Sequence, residues 1–371
     1  MSGTACDRVI EGHPPGFRGE DGPPSSLPQV QHSEGRSILR RMEIVPQVRR
    51  LLTQCAAVRP ADRVLIVTDS GFEMEVVETF ACVATEMGAE VVLTVMTPRA
   101  NPGADPPAAV AQAMRGSDLV LELTSQWVGS SQARVQACAG GCRYLSMPEL
   151  YFHLLREGGP ADVDFVRIRP VAEMIRDKFE KADSVLFASP AGTSLRASLK
   201  GRKGRCLSGI ADKPGMFSAP PIIESGTSPL EGTAEGTLVI DGVIPMVGIG
   251  QVRAPFAMEI SGGRIRKFRA EGAGGQFADQ FRDVLERYQD PSMFEVAEMS
   301  VGLNPQSRMS DSAVDAEAKL GTAHVAFGDN RGYGGTNAAP GHIDCVFRDA
   351  TIELDGERIF ENGRLLIGQI A

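Results

Sequence analysis

From residue 63 the chain alternates short apolar runs with amphipathic stretches, and this alternation restricts the fold more than any other feature of the sequence. RVLIVTD (63–69) reads as a buried strand, FEMEVVETFACVATEMG (72–88) as a helix closed by glycine, and EVVLTVM (90–96) as a second strand. DLVLEL (118–123), RYLSMP (143–148), a long helix within 162–183 and SVLFAS (184–189) continue the pattern. Strands joined by helices of this length need crossover connections, which produce a mainly parallel sheet with helices on both faces. Such sheets often hold nucleotides. Here the first turn, DSGFEME, lacks the G-x-G-x-x-G that lets a backbone approach pyrophosphate, and no G-x-x-x-x-G-K-[ST] occurs, so neither a dinucleotide nor ATP is expected.

After residue 190 the texture changes to short strands broken by glycine: TSLRASLKGRKG, GTLVIDGVIP, FAMEISGGRIRKFRAEG, one helix at about 275–288, then TAHVAFGDN and GHIDCVFRDATIELDGERIF. EISGGRIRKF reads as a hairpin, because Gly-Gly supplies the positive φ angles of a two-residue turn, and LDGER reads the same way. The expected fold class is therefore α/β: an N-terminal mainly parallel sheet with helices on both faces over residues 37–190, followed by an antiparallel α+β domain over 191–371, the half in which the metal-ligand candidates given below fall. Residues 1–36 are rich in Gly, Pro, Ser and charge without an apolar period, and a disordered tail is expected there. Between Ile38 and Val58 apolar residues recur at helical spacing, with Pro46 as a kink or helix start.

Composition narrows the function classes. A net charge of −9 argues against a broad nucleic-acid surface. The basic cluster Lys200, Arg202, Lys203 and Arg205 reads as a solvated turn or as a gate for an anionic substrate. No apolar run is long enough to cross a bilayer and the first residues lack the apolar core of a secretory signal, so a cytoplasmic protein without membrane partners is expected. Seven scattered cysteines suit a reducing compartment, and Cys138 and Cys142 lack the second pair a zinc site needs.

Histidine is scarce, which sharpens the search for chemistry. Of five, His13 and His32 lie in the tail and His153 sits in ELYFHLLRE, where a structural role is expected. His324 and His342 fall in strand-like runs, where a buried imidazole needs a hydrogen-bond or metal partner. In GHIDCVF the spacing of His342 and Asp344 places both on one face of a strand, a pair of N and O donors suited to a divalent metal. The tripeptide alone is also served by a packed histidine and a loop-capping aspartate. The preceding GDNRGYGGTNAAPG (328–341) reads as a flexible loop over a site. Glu224 and Glu298 stand in apolar surroundings, where a carboxylate needs a cation or a proton.

Five ordered stretches carry a resemblance: SPAGTSLRASLKGR (189–202), EGTAEGTLVIDG (231–242), AEMSVGLNP (297–305), LGTAHVAFGDN (320–330) and GGTNAAPGHIDCVF (334–347). Together they resemble the aminopeptidase T-type metallopeptidases and their relative 2,5-dihydroxypyridine 5,6-dioxygenase, over about residues 40–365. The resemblance to the peptidases implies metal ligands at Glu224, Glu298, His324, His342 and Asp344. It also implies a tyrosine after the third ligand, where direct counting gives Arg331 and a two-residue shift gives Tyr333. On this reading the chain is a metal-dependent hydrolase of an amide or peptide bond. One or two Zn, Co or Mn ions activate a water, Glu224 is the base, Tyr333 is a catalytic group, and a small molecule or short peptide is the substrate. The dioxygenase is the alternative: IADKPG (210–215) and RYQDPSMF (287–294) resemble it, and it implies a single Fe(II) acting on a hydroxylated pyridine. Its first histidine ligand aligns with Glu298. The family resemblance also implies a homodimer.

Overall fold

The computed structural model describes residues 31–270 and 272–370, with side chains from Leu39 onward. Helix α1 (Gln31–Arg50) passes through Pro46 without ending and continues as one π-helical turn, Leu51–Cys55. Residues 31–36, expected to lack structure, are thus helical; the rest of the expected tail, with His13, lies outside the described residues, as does the side chain of His32.

Strands β1 (Arg63–Asp69), β2 (Glu90–Met96), β3 (Leu119–Leu123) and β4 (Arg143–Ser146) form the expected parallel sheet in the order β2-β1-β3-β4. Period two divides its side chains. Val64 and Ile66 face α1 and α2 (Met74–Glu86) in one core, while Leu65 and Val67 face α3 (Ala108–Arg115) and α4 (Gln132–Ala139) in another. Cys138 and Cys142 are buried free thiols in the second core. Helix α5 (Phe165–Lys181), capped by Asp164, leads out of this sheet.

One expectation about the sheet needs correction. SVLFAS was read as a further parallel strand, but β5 (Ser184–Ala188) pairs antiparallel with β6 (Ser194–Ser198). The link between them is too short for a crossover, so the chain reverses instead. After β7 (Arg205–Leu207) the chain returns to add β8 (Phe217–Ser218) beside β4, a parallel contact that closes the first sheet. Then follow β9 (Glu224–Thr227), β10 (Glu235–Ile240), β11 (Val243–Ile244), β12 (Gly250–Gln251), β13 (Phe256–Ser261), β14 (Arg264–Arg269) and α6 (Gly274–Glu286). The chain ends in β15 (Val296–Gly302), α7 (Ala313–Ala316), β16 (Ala323–Gly328), β17 (His342–Phe347), β18 (Thr351–Leu354), β19 (Glu357–Glu361) and β20 (Arg364–Leu365).

These strands build two antiparallel sheets, β14-β13-β10-β6-β5-β18-β19-β20 and β12-β11-β17-β16-β15-β9-β7. Both expected hairpins are present. Gly262 and Gly263 have φ of 58° and 76° between β13 and β14, and Asp355 and Gly356 have 49° and 84° between β18 and β19. The sheets pack through Met299, Val325, Phe327, Cys345 and Phe347 of one and Phe187, Leu195 and Ile352 of the other. Among the described residues no helix is long and apolar enough to cross a membrane.

Asn304 ties the end of β15 to the loops that precede α5 and β9. It is fully buried, and its amide donates to the carbonyls of Pro160 and Pro221 at 2.9 Å each. Asn304→Ala would leave both acceptors buried without this donor, a loss of about 2 kcal/mol or more. Denaturant unfolding should register that loss, and a variant within about 0.5 kcal/mol of the parent would contradict it.

Candidate metal centre

The candidate ligands come from four adjacent strands. β17 carries His342 and Asp344, β16 carries His324, β15 carries Glu298 and β9 carries Glu224. Register brings them together: Asp344 and Glu298 both lie opposite Ala326, His324 lies opposite Ser300, and Glu224 lies opposite Gly302. The alternate residues Ile343, Cys345, Val325, Phe327, Met299 and Val301 point into the core. One sheet therefore has an apolar face and a face where donors alternate with Ala326, Gly328, Ser300 and Gly302.

Glu298 reaches this face through a break in the pattern. Val296 pairs with Phe327 and packs in the core, yet Glu298, two residues on, pairs with Ala326 because the register shifts between them. An extra residue, Ala297, reverses which side faces the site, a familiar use of a bulge beside functional groups.

All five expected ligands gather there. The donor atoms of Glu224, Glu298 and His324 form one group, and those of Glu298, His342 and Asp344 a second, each within 4.8 Å. Glu298 belongs to both. Its Oε2 faces His342 Nε2 at 3.3 Å, and its Oε1 faces His324 Nε2 at 3.8 Å and accepts from Ser300 Oγ at 2.6 Å. His342 Nε2 is also 3.5 Å from Asp344 Oδ1, and His324 Nε2 is 3.6 Å from Glu224 Oε2.

The donor set fits a divalent cation. His342 Nδ1–H donates to the Asp329 carbonyl at 2.7 Å, which directs Nε2 at the site and makes it the nitrogen that would offer a lone pair to an ion once its proton leaves. That Nε2 is buried without a hydrogen-bond partner, as is Nδ1 of His324.

Charges are coupled across the cluster. Burial disfavours the charged form of His324, but the facing Glu298 carboxylate and the charges of Glu224 and Asp344 outweigh it and push the imidazole up to about 9. His342 is raised for the same reason, Asp344 and Glu298 prevailing over burial. Burial raises Glu224, with His324 and Arg205 acting against it. Glu298 is held well below the usual carboxylate range, because Arg205 and both histidines overcome its burial. Burial and the charges of Asp344, Glu224 and Glu298 keep a further carboxyl, Glu317, protonated well above that range.

Arg205 was not singled out as a site residue, and the basic cluster divides in a way composition does not reveal. Lys200 and Lys203 are exposed, whereas Arg202 pairs with Glu231 and Arg205 turns onto the site. Arg205 Nη1 donates to Glu224 Oε1 at 3.0 Å and Glu298 Oε1 at 3.1 Å. The available signal was period two: in β7, Arg205 shares its face with Leu207, which lies opposite Glu224.

The glycine-rich loop does lie over the site, but its base is pinned. Fully buried Asn330 donates to Ser228 and Glu231 and accepts from Asn337 N–H, and Asn337 donates to the carbonyls of Ser292 and Gly328. Burial opposes the charge of Glu231, yet the N–H groups of Thr336 and Glu231 itself, with Asn330 and Arg202, hold its carboxyl at about 2. At the tip Tyr333 stacks on His342, centroids 4.4 Å apart and planes at 3°, and Arg205 lies 4.2 Å over the Tyr333 ring. Arg331, the residue found by direct counting, is exposed and pairs with Asp329. His153 is exposed against Tyr151, away from this cluster.

Comparison with known proteins corrects the chemistry expected first. The family described as 2,5-dihydroxypyridine 5,6-dioxygenase (NicX) matches residues 43–367. A 2,5-dihydroxypyridine 5,6-dioxygenase of Pseudomonas putida is 27% identical over 264 residues, covering 68% of this chain and 71% of that protein. Two solved structures share the fold. The 2,5-dihydroxypyridine dioxygenase of Pseudomonas putida KT2440 has a TM-score of 0.74 at 22% identity, covering 89% of this chain and 98% of its own. Wild-type AmpT from Thermus thermophilus has a TM-score of 0.62 at 16% identity, covering 88% and 100%. The parallel sheet with antiparallel partners is thus common to a dioxygenase and an aminopeptidase T, and shared fold does not choose between them. The family match does choose, and it overturns the expectation of an aminopeptidase-like hydrolase. That expectation rested on the match of all five positions to the peptidase ligand set, and one cluster of Glu, His and Asp donors serves either chemistry. Over nearly its whole length, the chain belongs to the 2,5-dihydroxypyridine 5,6-dioxygenase family.

Proposed function

We propose that the chain is an Fe(II)-dependent dioxygenase that opens a hydroxylated pyridine ring, with 2,5-dihydroxypyridine or a close analogue as substrate. The observation that carries this reading is the family match across residues 43–367. The geometry supplies a place for it. Glu298, His342 and Asp344 would hold the ion, since His342 Nε2 is free and faces both carboxylates. This set has one histidine and two carboxylates, where oxygen-activating iron commonly has two histidines and one carboxylate. Bound there, a ferrous ion supplies the one-electron chemistry with dioxygen that side chains lack, and both oxygen atoms enter the product.

The remaining side chains manage charge and water. Glu224, whose burial raises its proton affinity, takes the proton that a ring hydroxyl loses on binding. His324, 3.6 Å away and charged to about pH 9, holds a proton that can be returned to the opened product. Arg205 offers its positive charge to an electron-rich ring. Tyr333 covers the centre and limits water.

Protein loaded anaerobically with Fe(II) should consume oxygen when given 2,5-dihydroxypyridine. His342→Ala and Asp344→Ala should each lose bound iron and reduce uptake by about 100-fold or more. Wild-type protein with iron bound but no uptake on any hydroxylated pyridine would overturn the reading.

Metal binding should also depend on pH with a definite sign. His342 has a raised pKa, so it carries a proton at neutral pH before the ion arrives, and the ion must displace it. Affinity should therefore rise about tenfold per pH unit across the neutral range and level off above the His342 pKa. Calorimetry in buffers of different ionisation enthalpy should find about one proton released per ion. Affinity independent of pH would show that His342 is not a ligand.

A further inference from the structure

The two donor groups share Glu298 and differ in what else faces them. In the group of Glu298, His342 and Asp344, the carboxylates face an imidazole nitrogen without a partner. In the group of Glu224, Glu298 and His324, a guanidinium already bridges the two glutamates, 3.0 Å from one and 3.1 Å from the other. We infer that Arg205 is a built-in cation in the place of a second metal ion, so that the chain binds one divalent ion and excludes another from Glu224, Glu298 and His324.

Hydrogen bonding and charge support this independently. Glu298 Oε1 accepts from Arg205 Nη1 and from Ser300 Oγ at 2.6 Å, so its lone pairs are engaged, whereas Oε2 is directed to His342. Guanidinium cannot lose its proton in a protein, so the charge that faces Glu224 and Glu298 is permanent. It compensates one of two carboxylates, and a divalent ion placed among them would meet a fixed positive charge at hydrogen-bond range. The position is held by construction: β7 aligns Arg205 opposite Gly226, where no side chain competes, and the Tyr333 ring lies 4.2 Å from the guanidinium. His324, only 1% exposed, keeps an unpartnered Nδ1. Without Arg205, the His324 imidazole would be the one positive partner left to Glu224 and Glu298 within this group, and a second cation would find both carboxylates open.

The inference rests on the proposed ion at Glu298, His342 and Asp344, and the test separates the two. Zn²⁺ is used as a probe, so no oxygen chemistry is involved. Wild type, Arg205→Met and Arg205→Lys are equilibrated with Zn²⁺, desalted and measured for zinc per chain, with thermal unfolding in parallel. Wild type and Arg205→Lys should retain one ion. Arg205→Met should retain two, and Zn²⁺ should raise its melting temperature more than that of wild type. A wild type that retains two ions, or an Arg205→Met that retains one, overturns the role of Arg205 while leaving the proposed ion in place. A wild type that retains none overturns both. Should Arg205→Met not fold, Glu224→Gln in the wild-type background decides: it should keep its one ion, and loss of that ion would place the metal at the other group and refute the inference.

Discussion

The centre depends on strand register. Antiparallel pairing places Asp344, Ala326 and Glu298 in one row, with His342 and His324 one same-face step from that row and Glu224 two, and period two turns all of them to the same side. A slip of one residue in any of these strands would send a donor into the core and a core residue such as Cys345 or Val325 to the site. The apolar packing between the two antiparallel sheets therefore fixes the ligand geometry. The site needs no residue to be rigid by itself, because the core behind it excludes alternative registers.

The second requirement is charge balance. Glu224, Glu298 and Asp344 converge with Glu317 nearby, and such a group cannot be buried fully ionised without cations. The protein answers with His324 and His342, both raised, with Arg205, and with a proton on Glu317. The Arg205–Tyr333–His342 contacts link this balance to the loop, whose base is held by Asn330 and Glu231. Removing one cation should thus affect metal stoichiometry and loop position together.

Much of this was legible in the sequence, and the rest was hidden for identifiable reasons. Strands β1 and β3 could be read because parallel strands buried on both faces have continuous apolar character, and both hairpins could be read from their turn residues. His342 and Asp344 were legible because two polar residues at period two in an apolar strand need a purpose. SVLFAS was misread because local composition does not reveal which sheet a strand joins. The bulge at Ala297 leaves no signature in VAEMSV, and Arg205 looks like its solvated neighbours until strand pairing turns it inward. The reaction was misjudged because ligand identity limits the metals a site accepts but not the reaction it performs.

The central claim is that one ferrous ion lies on the side of Glu298 that faces His342 and Asp344. Anomalous diffraction at the iron edge from crystals loaded with Fe(II) without oxygen tests it most directly. The account predicts a single peak bonded to His342 Nε2 and to carboxylate oxygens of Glu298 and Asp344, with Arg205 still bridging Glu224 and Glu298. A peak bonded to His324 and Glu224 instead, with His342 Nε2 left unbound, would contradict it.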